Sequence, residues 1–179
     1  MNRPPETHYL LPADFAAALG QAVATFGWLE EVLKRALFSL ERVRLARDLT
    51  ATELARWRQH MTDIADDSLG TLIEQLDSAL RRHPGIDDRD EINDRLVVLK
   101  HQRNLICHAS WSPTAEKTRW RPAFVAMKGE SVPADLSAPE LDLMRHEAEA
   151  AGRRIIAIMH LTGIAGEWVG EDDDPDIDR

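Results

Sequence analysis

Three side chains on one short stretch carry chemical potential: Arg103, Asn104 and His108, within Leu99-Lys100-His101-Gln102-Arg103-Asn104-Leu105-Ile106-Cys107-His108-Ala109-Ser110-Trp111. The surrounding pattern reads as a helix over residues 87–111. At 100° per residue, Ile92, Leu96, Leu99, Ile106 and Ser110 share one narrow face, with Arg103 in its middle. A guanidinium in an apolar stripe is costly unless a carboxylate or an anion meets it. Asn104 and His108 lie four residues apart, one turn above the other. A cation, an amide and an imidazole therefore converge on about a turn and a half of helix.

A phosphodiester suits that set. A neutral imidazole can take a proton from a 2′-OH, and a protonated one can give it to a leaving 5′-oxygen. A guanidinium can hold two non-bridging oxygens and offset the charge that builds in the transition state. Other chemistries fit less well. Seven residues at 1.5 Å rise separate His101 from His108 by about 10 Å, too far to share one metal ion. There is no HExxH, EF-hand, P-loop, dinucleotide fingerprint or GxSxG pattern. Cys107 is the only cysteine, so no disulfide framework exists. It reads as a small buried residue, because its helical neighbour His108 points about 100° away. No metal and no cofactor are expected.

The elements that hold the stretch follow from apolar spacing. After an N-terminal tail over residues 1–12, a long helix begins at Ala13 and carries Phe15, Leu19, Ala22, Phe26, Leu29, Leu33, Ala36, Leu40 and Val43. Val23 and Leu37 form a neighbouring stripe with Glu30 between them. Glu30 is read either as a half-exposed acid near Lys34 or as the carboxylate that meets Arg103 across a helix interface; Glu31 pairs with Arg35 on the solvent side. Residues 52–82 make one or two helices, with Asp66-Asp67-Ser68 as a break or a new start and His83-Pro84-Gly85 as a stop. Residues 113–136 read as a hairpin or ordered loop alternating around Trp120, Phe124 and Ala126, with Lys128-Gly129-Glu130 as its turn and Lys117, Arg119 and Arg121 as its basic cluster. Ser137-Ala138-Pro139-Glu140 caps a last long helix carrying Leu141, Met144, Ala148, Ala151, Ile155, Ile158 and Thr162. The expected fold is all-α: a single bundle of four or five helices over residues 13–169, with a short β-hairpin or loop insertion before the last helix and an acidic tail over 170–179. The five tryptophans are scattered and read as core and rim residues.

Charge sets limits on partners. At 179 residues, 44% hydrophobic and 30% charged, the chain has the make-up of a soluble globular domain. Its net charge is −9, and six acids from Glu171 to Asp178 against Arg179 supply five of those nine. That balance argues against sequence-blind binding to duplex nucleic acid and leaves room for a local phosphate site. No apolar run approaches the ~18 residues of a membrane span, and the N-terminus lacks the apolar core of a signal peptide, so a cytoplasmic location is expected.

Arg103-Asn104-Leu105-Ile106-Cys107-His108 resembles the motif of the HEPN superfamily: an arginine, a polar residue, then a histidine a short distance on. The context is similar too, since that motif lies on a late helix of a helical bundle. Phe26-Gly27-Trp28-Leu29-Glu30 resembles the first long helix of bacterial relatives, with an acid in a like place. The resemblance implies a metal-independent endoribonuclease of a toxin–antitoxin or defence system, cleaving RNA by 2′-OH attack to leave a 2′,3′-cyclic phosphate. Arg103, Asn104 and His108 would be catalytic, Glu30 supporting, and Lys100, His101, Arg119 and Arg121 further phosphate contacts; a cognate antitoxin would be a partner. It equally implies an alternative, a non-catalytic HEPN-like helical dimer that binds a nucleotide, RNA or protein through the same groove. One toxin subgroup carries a tyrosine two residues after the histidine, where this chain has Ser110. A homodimer is expected either way, with the two motif helices near the axis, His108 side chains facing a shared cleft and Val97 contributing apolar contact.

Overall fold

In a computed structural model, residues 9–44, 50–83, 85–116, 118–123 and 134–161 are described. They form five helices and one hairpin: α1 (Ala13–Arg44), α2 (Ala51–Asp66), α3 (Leu69–Leu80), α4 (Arg89–His108), β1 (Ser110–Pro113), β2 (Trp120–Ala123) and α5 (Ala138–Leu161). The protein is predominantly helical, and among the described residues no helix is long and apolar enough to cross a membrane.

The 3-4 spacing of α1 produces the expected core. Phe15, Ala22, Phe26, Leu29, Leu33, Ala36 and Leu40 are buried, and they meet Leu72, Leu76, Leu96, Leu99, Leu141 and Ile155 in a single cluster. Truncating a fully buried leucine such as Leu29 to alanine costs about 2–5 kcal/mol, because the cavity closes only in part. The Glu31–Arg35 pair forms on the outside of α1.

Helices α1 and α5 run in the same direction. Asp14, Ala18 and Gln21 border one shallow groove with Ala138, Asp142 and His146, while further along the Trp28 ring lies over Gly152. A Cβ at Gly152 would stand 2.4 Å from that ring, so only glycine permits the approach in place. Helix α4 runs against both: Asp88 at its start reaches Arg154, and Gln102 near its end reaches Glu147.

Local capping explains the breaks. Thr50 and Glu53 form a reciprocal capping box that starts α2. Ser68 accepts from the Thr71 N–H and starts α3, so residues 52–82 form two helices. Gly85, at φ +101°, occupies the left-handed region that glycine alone adopts freely, between α3 and α4. At α5, Glu140 accepts from both the backbone N–H and the hydroxyl of Ser137.

Three expectations require correction. The motif helix ends at His108: Ala109 turns extended, and Ser110 and Trp111 belong to β1. An aromatic contact competes with the helix there, since Trp111 sets its ring edge-on to Phe15 at 5.2 Å. The hairpin closes earlier than the alternation suggests, with Ser110 opposite Ala123, Pro113 opposite Trp120 and the connection over residues 114–119. Cys107 is exposed in the last turn of α4, off the stripe that the buried Ile92, Leu96, Leu99 and Ile106 form. Phe124, Ala126, Lys128-Gly129-Glu130, Lys117, Thr162, the first eight residues and the acidic tail lie outside the described residues, as do the side chains of Val43, Leu54, Trp57 and Met61.

Candidate functional site

Helix α4 carries the site and is held from three sides. Ile92, Leu96, Leu99 and Ile106 are buried. Arg103 sits half-buried among them, its Nε 2.9 Å from Oε1 of Glu30 on α1. Of the two readings of Glu30, the one across the helix interface is the observed geometry. Residue 102, one step earlier in the chain, faces the other neighbour. The Gln102 amide donates to Glu147 on α5 at 3.2 Å, while its carbonyl oxygen is buried without a partner among the described residues. At the helix start, Asp88 Oδ2 accepts from Arg154 Nε at 2.6 Å, and that bond holds the Asp88 carboxyl below the usual carboxylate range. Neither Gln102–Glu147 nor Asp88–Arg154 was anticipated from the sequence; their partners lie 45 and 66 residues apart.

Asn104 turns towards the guanidinium, its Oδ1 accepting from Arg103 Nη1 at 3.4 Å. Beyond Glu30 and Asn104, Arg103 meets no acceptor among the described residues. His108, the last residue of α4, is exposed. Arg103, Asn104 and His108 thus wind round the end of α4 and do not line one face: the arginine, against α1, and the imidazole, in solvent, are five residues and about 140° apart, with Asn104 between them on this winding ridge. The Ala109 N–H bonds back to the Leu105 carbonyl at 2.9 Å, and the chain passes directly into β1, so the main chain at His108 is fixed on both sides.

The outlying candidates divide. Lys100 is half-buried and lays its stem along the first turn of α3, where a Cβ at Gly70 would be 3.4 Å from its Cδ. His101 is exposed on the opposite side of α4 from Arg103. The hairpin arginines are committed elsewhere. Arg119 donates to the Asp135 carbonyl and to Glu140, and Arg121 grips Asp135 through two bonds of 2.8 and 3.0 Å. Arg121 keeps the Asp135 carboxyl below its ordinary range, and the Ser137 hydroxyl, then Arg119, does the same to Glu140. The structure does not bring either arginine to the ridge through any recorded contact. Val97 is half-buried against the core; the apolar residue that α4 exposes is Val98, at 54%. Val97 packs against the buried cluster, and Lys100, three residues on, lies against the first turn of α3.

Comparison with known protein families, with curated proteins and with solved structures finds no match to the chain.

Proposed function

We propose that the protein is a HEPN-like, metal-independent endoribonuclease, with Arg103, Asn104 and His108 as its catalytic residues and Glu30 as the residue that positions Arg103. The observation that carries this reading is the Arg103–Glu30 pair at 2.9 Å on the same turn and a half of α4 as the exposed His108. The pair leaves the Arg103 side chain 28% exposed, so the guanidinium is not closed off from solvent. Its Nε is ion-paired with Glu30, and Nη1 reaches the half-buried Asn104. The helical bundle with the motif on its fourth helix also supports a HEPN-like arrangement.

In the reaction so assigned, neutral His108 removes the proton of a 2′-OH. O2′ forms a bond to the adjacent phosphorus, the P–O5′ bond breaks, and the 5′-oxygen departs with a proton from the imidazolium or from water. Arg103 faces the non-bridging oxygens as charge accumulates on them. The products are a 2′,3′-cyclic phosphate and a 5′-hydroxyl. A role as a toxin with a cognate antitoxin belongs to the same proposal.

A second reading, a non-catalytic binder of RNA or protein through the same ridge, has one observation in its favour. Arg119 and Arg121 spend their charge on Asp135 and Glu140, which leaves the described surface with less cation to hold a polyanion. RNA cleavage in the presence of EDTA separates the two. Wild type is expected to cut and to leave a cyclic phosphate end, and Arg103→Ala and His108→Ala are expected not to. Cleavage abolished by chelation and restored by magnesium, or cleavage surviving both substitutions, rejects the mechanism. Retained RNA binding without cleavage supports the second reading.

A further inference from the structure

Helix interiors disfavour glycine, and the fold supplies a cause for it at some positions. Gly85 takes a left-handed φ of +101°, and Gly152 lies under the Trp28 ring. Gly27 has neither cause. It is exposed in the middle of α1, and a Cβ built there meets no atom within 4 Å among the described residues. Alanine would clash with none of them and would favour the helix. Gly20, one heptad earlier, shares this description; what sets Gly27 apart is its neighbour. It stands one turn before Glu30 and about 60° round α1 from it. Helix α4 runs against α1, with Arg103 at Glu30 and Trp111, just beyond the helix, at Phe15. The turn of α1 that carries Gly27 therefore lies alongside the turn of α4 that follows Arg103. Gln102 faces α5, and Lys100 lies against the first turn of α3. Asn104, four residues after Lys100, continues the Lys100 side of α4 beyond the start of α3. The Glu30–Arg103 pair thus heads a crevice with Val23 and Gly27 on its α1 wall and Asn104 and Cys107 on its α4 wall.

We infer that Gly27 is the clearance position of this site: it lets the sugar–phosphate backbone of an RNA strand lie against the bare main chain of α1, so that a phosphate reaches Arg103. A side chain at position 27 would stand in the strand's path, as glycine elsewhere serves where a ligand must come close to main chain. This role rests on the reading of Arg103 and Asn104 as groups that meet RNA, and it adds to them a residue that selects by size. The walls favour a backbone over a base. Arg103 is a partner for a phosphate anion. Val23, Gly27, Asn104 and Cys107 carry no aromatic ring on which a base could stack.

Binding tests this role apart from cleavage. The probe is a short fluorescein-labelled oligouridylate with fluorine in place of each 2′-hydroxyl, which 2′-OH attack cannot cut, titrated by anisotropy at low ionic strength. Gly27→Leu is expected to weaken its binding at least about tenfold by obstructing the strand, and Gly27→Ala to weaken it less. Ala17→Leu, exposed on the α5 side of the same helix, is expected to leave binding unchanged. Urea midpoints of both Gly27 variants are expected to rise, because the position is exposed and each replacement favours the helix. Lost binding is then not lost folding. A Gly27→Leu chain that binds as wild type does overturns the clearance role, whatever the cleavage assay gives. A Gly27→Leu chain that loses binding, while wild type fails to cut unmodified RNA, upholds the role and rejects the nuclease reading. A lowered urea midpoint places packed atoms beside Gly27 and overturns the role, as does a wild type that binds no oligomer.

Discussion

Two arginine settings in this molecule differ in how completely the protein uses them. At the hairpin, Arg119 spans a backbone carbonyl and a carboxylate, and Arg121 takes both oxygens of Asp135, so β2 is tied to the segment that leads into α5. At α4, Arg103 forms an ion pair with Glu30, its Nε 2.9 Å from the carboxylate, and donates from Nη1 to Asn104. The first setting makes each guanidinium a cross-brace between the hairpin and the approach to α5. The second fixes its orientation and leaves donors over. Neither exposure nor the number of acceptors separates the two, since Arg119 and Arg103 each meet two acceptors at side-chain exposures of 34% and 28%; the difference is where the acceptors lie, on the segment leading into α5 for Arg119 and on α1 and the motif itself for Arg103.

Substitutions can break that contrast or sharpen it. The largest expected effect is on turnover. His108→Ala should lower RNA cleavage by about 10²–10⁴-fold, the usual worth of a general base, with no change in the urea midpoint because the side chain is exposed. Arg103→Ala should match it in activity loss and also destabilise by about 1–2 kcal/mol, since Glu30 is left half-buried and unpaired. Arg119→Ala should do the reverse, costing about 1 kcal/mol and less than tenfold in cleavage. Equal activity losses at Arg103 and Arg119 would erase the distinction.

Acid should act on the struts first. Asp88, Asp135 and Glu140 all have carboxyls lowered by their partners. A lowered folded value means that the stabilisation is fully present above the ordinary carboxylate range, about pH 4, and drains away as pH falls through the lower folded values. Urea midpoints measured downwards from pH 5 should fall, and Arg154→Gln should flatten the Asp88 share of that slope. The smallest effect belongs to Glu30→Gln, which keeps the shape and an acceptor but removes the charge. It should cost under about 1 kcal/mol and roughly tenfold in cleavage, with His108-dependent activity otherwise intact.

The helices were legible because burial repeats along them. Phe15 to Leu40 recur at 3-4 spacing and are buried or half-buried accordingly, and the same periodicity placed Glu30 in a slot facing the interface. Arg103 was legible for a related reason, as a charge out of place in an apolar stripe. What the sequence hid depends on distant partners. Trp111 leaves the helix for Phe15, almost a hundred residues earlier in the chain, and Gln102 finds Glu147 on a helix whose tilt no local pattern encodes. Val97 and Val98 could be told apart only once the packing around α4 was known, since Val97 joins the core cluster and Val98 stays exposed.

The direct passage from α4 into β1 has a kinetic consequence. His108 is followed after one residue by a strand whose Trp111 is lodged against Phe15, and preceded by a helix tied at Arg103, Gln102 and Asp88. Its Cα has almost no freedom, so the search for a reactive geometry reduces to rotation about two side-chain bonds, which exposed residues complete in picoseconds to nanoseconds. Under the ribonuclease proposal, reaching the attacking oxygen would depend on how an RNA strand settles on the end of α4, and faster cleavage would be sought in the substrate's fit and not in loosening the protein.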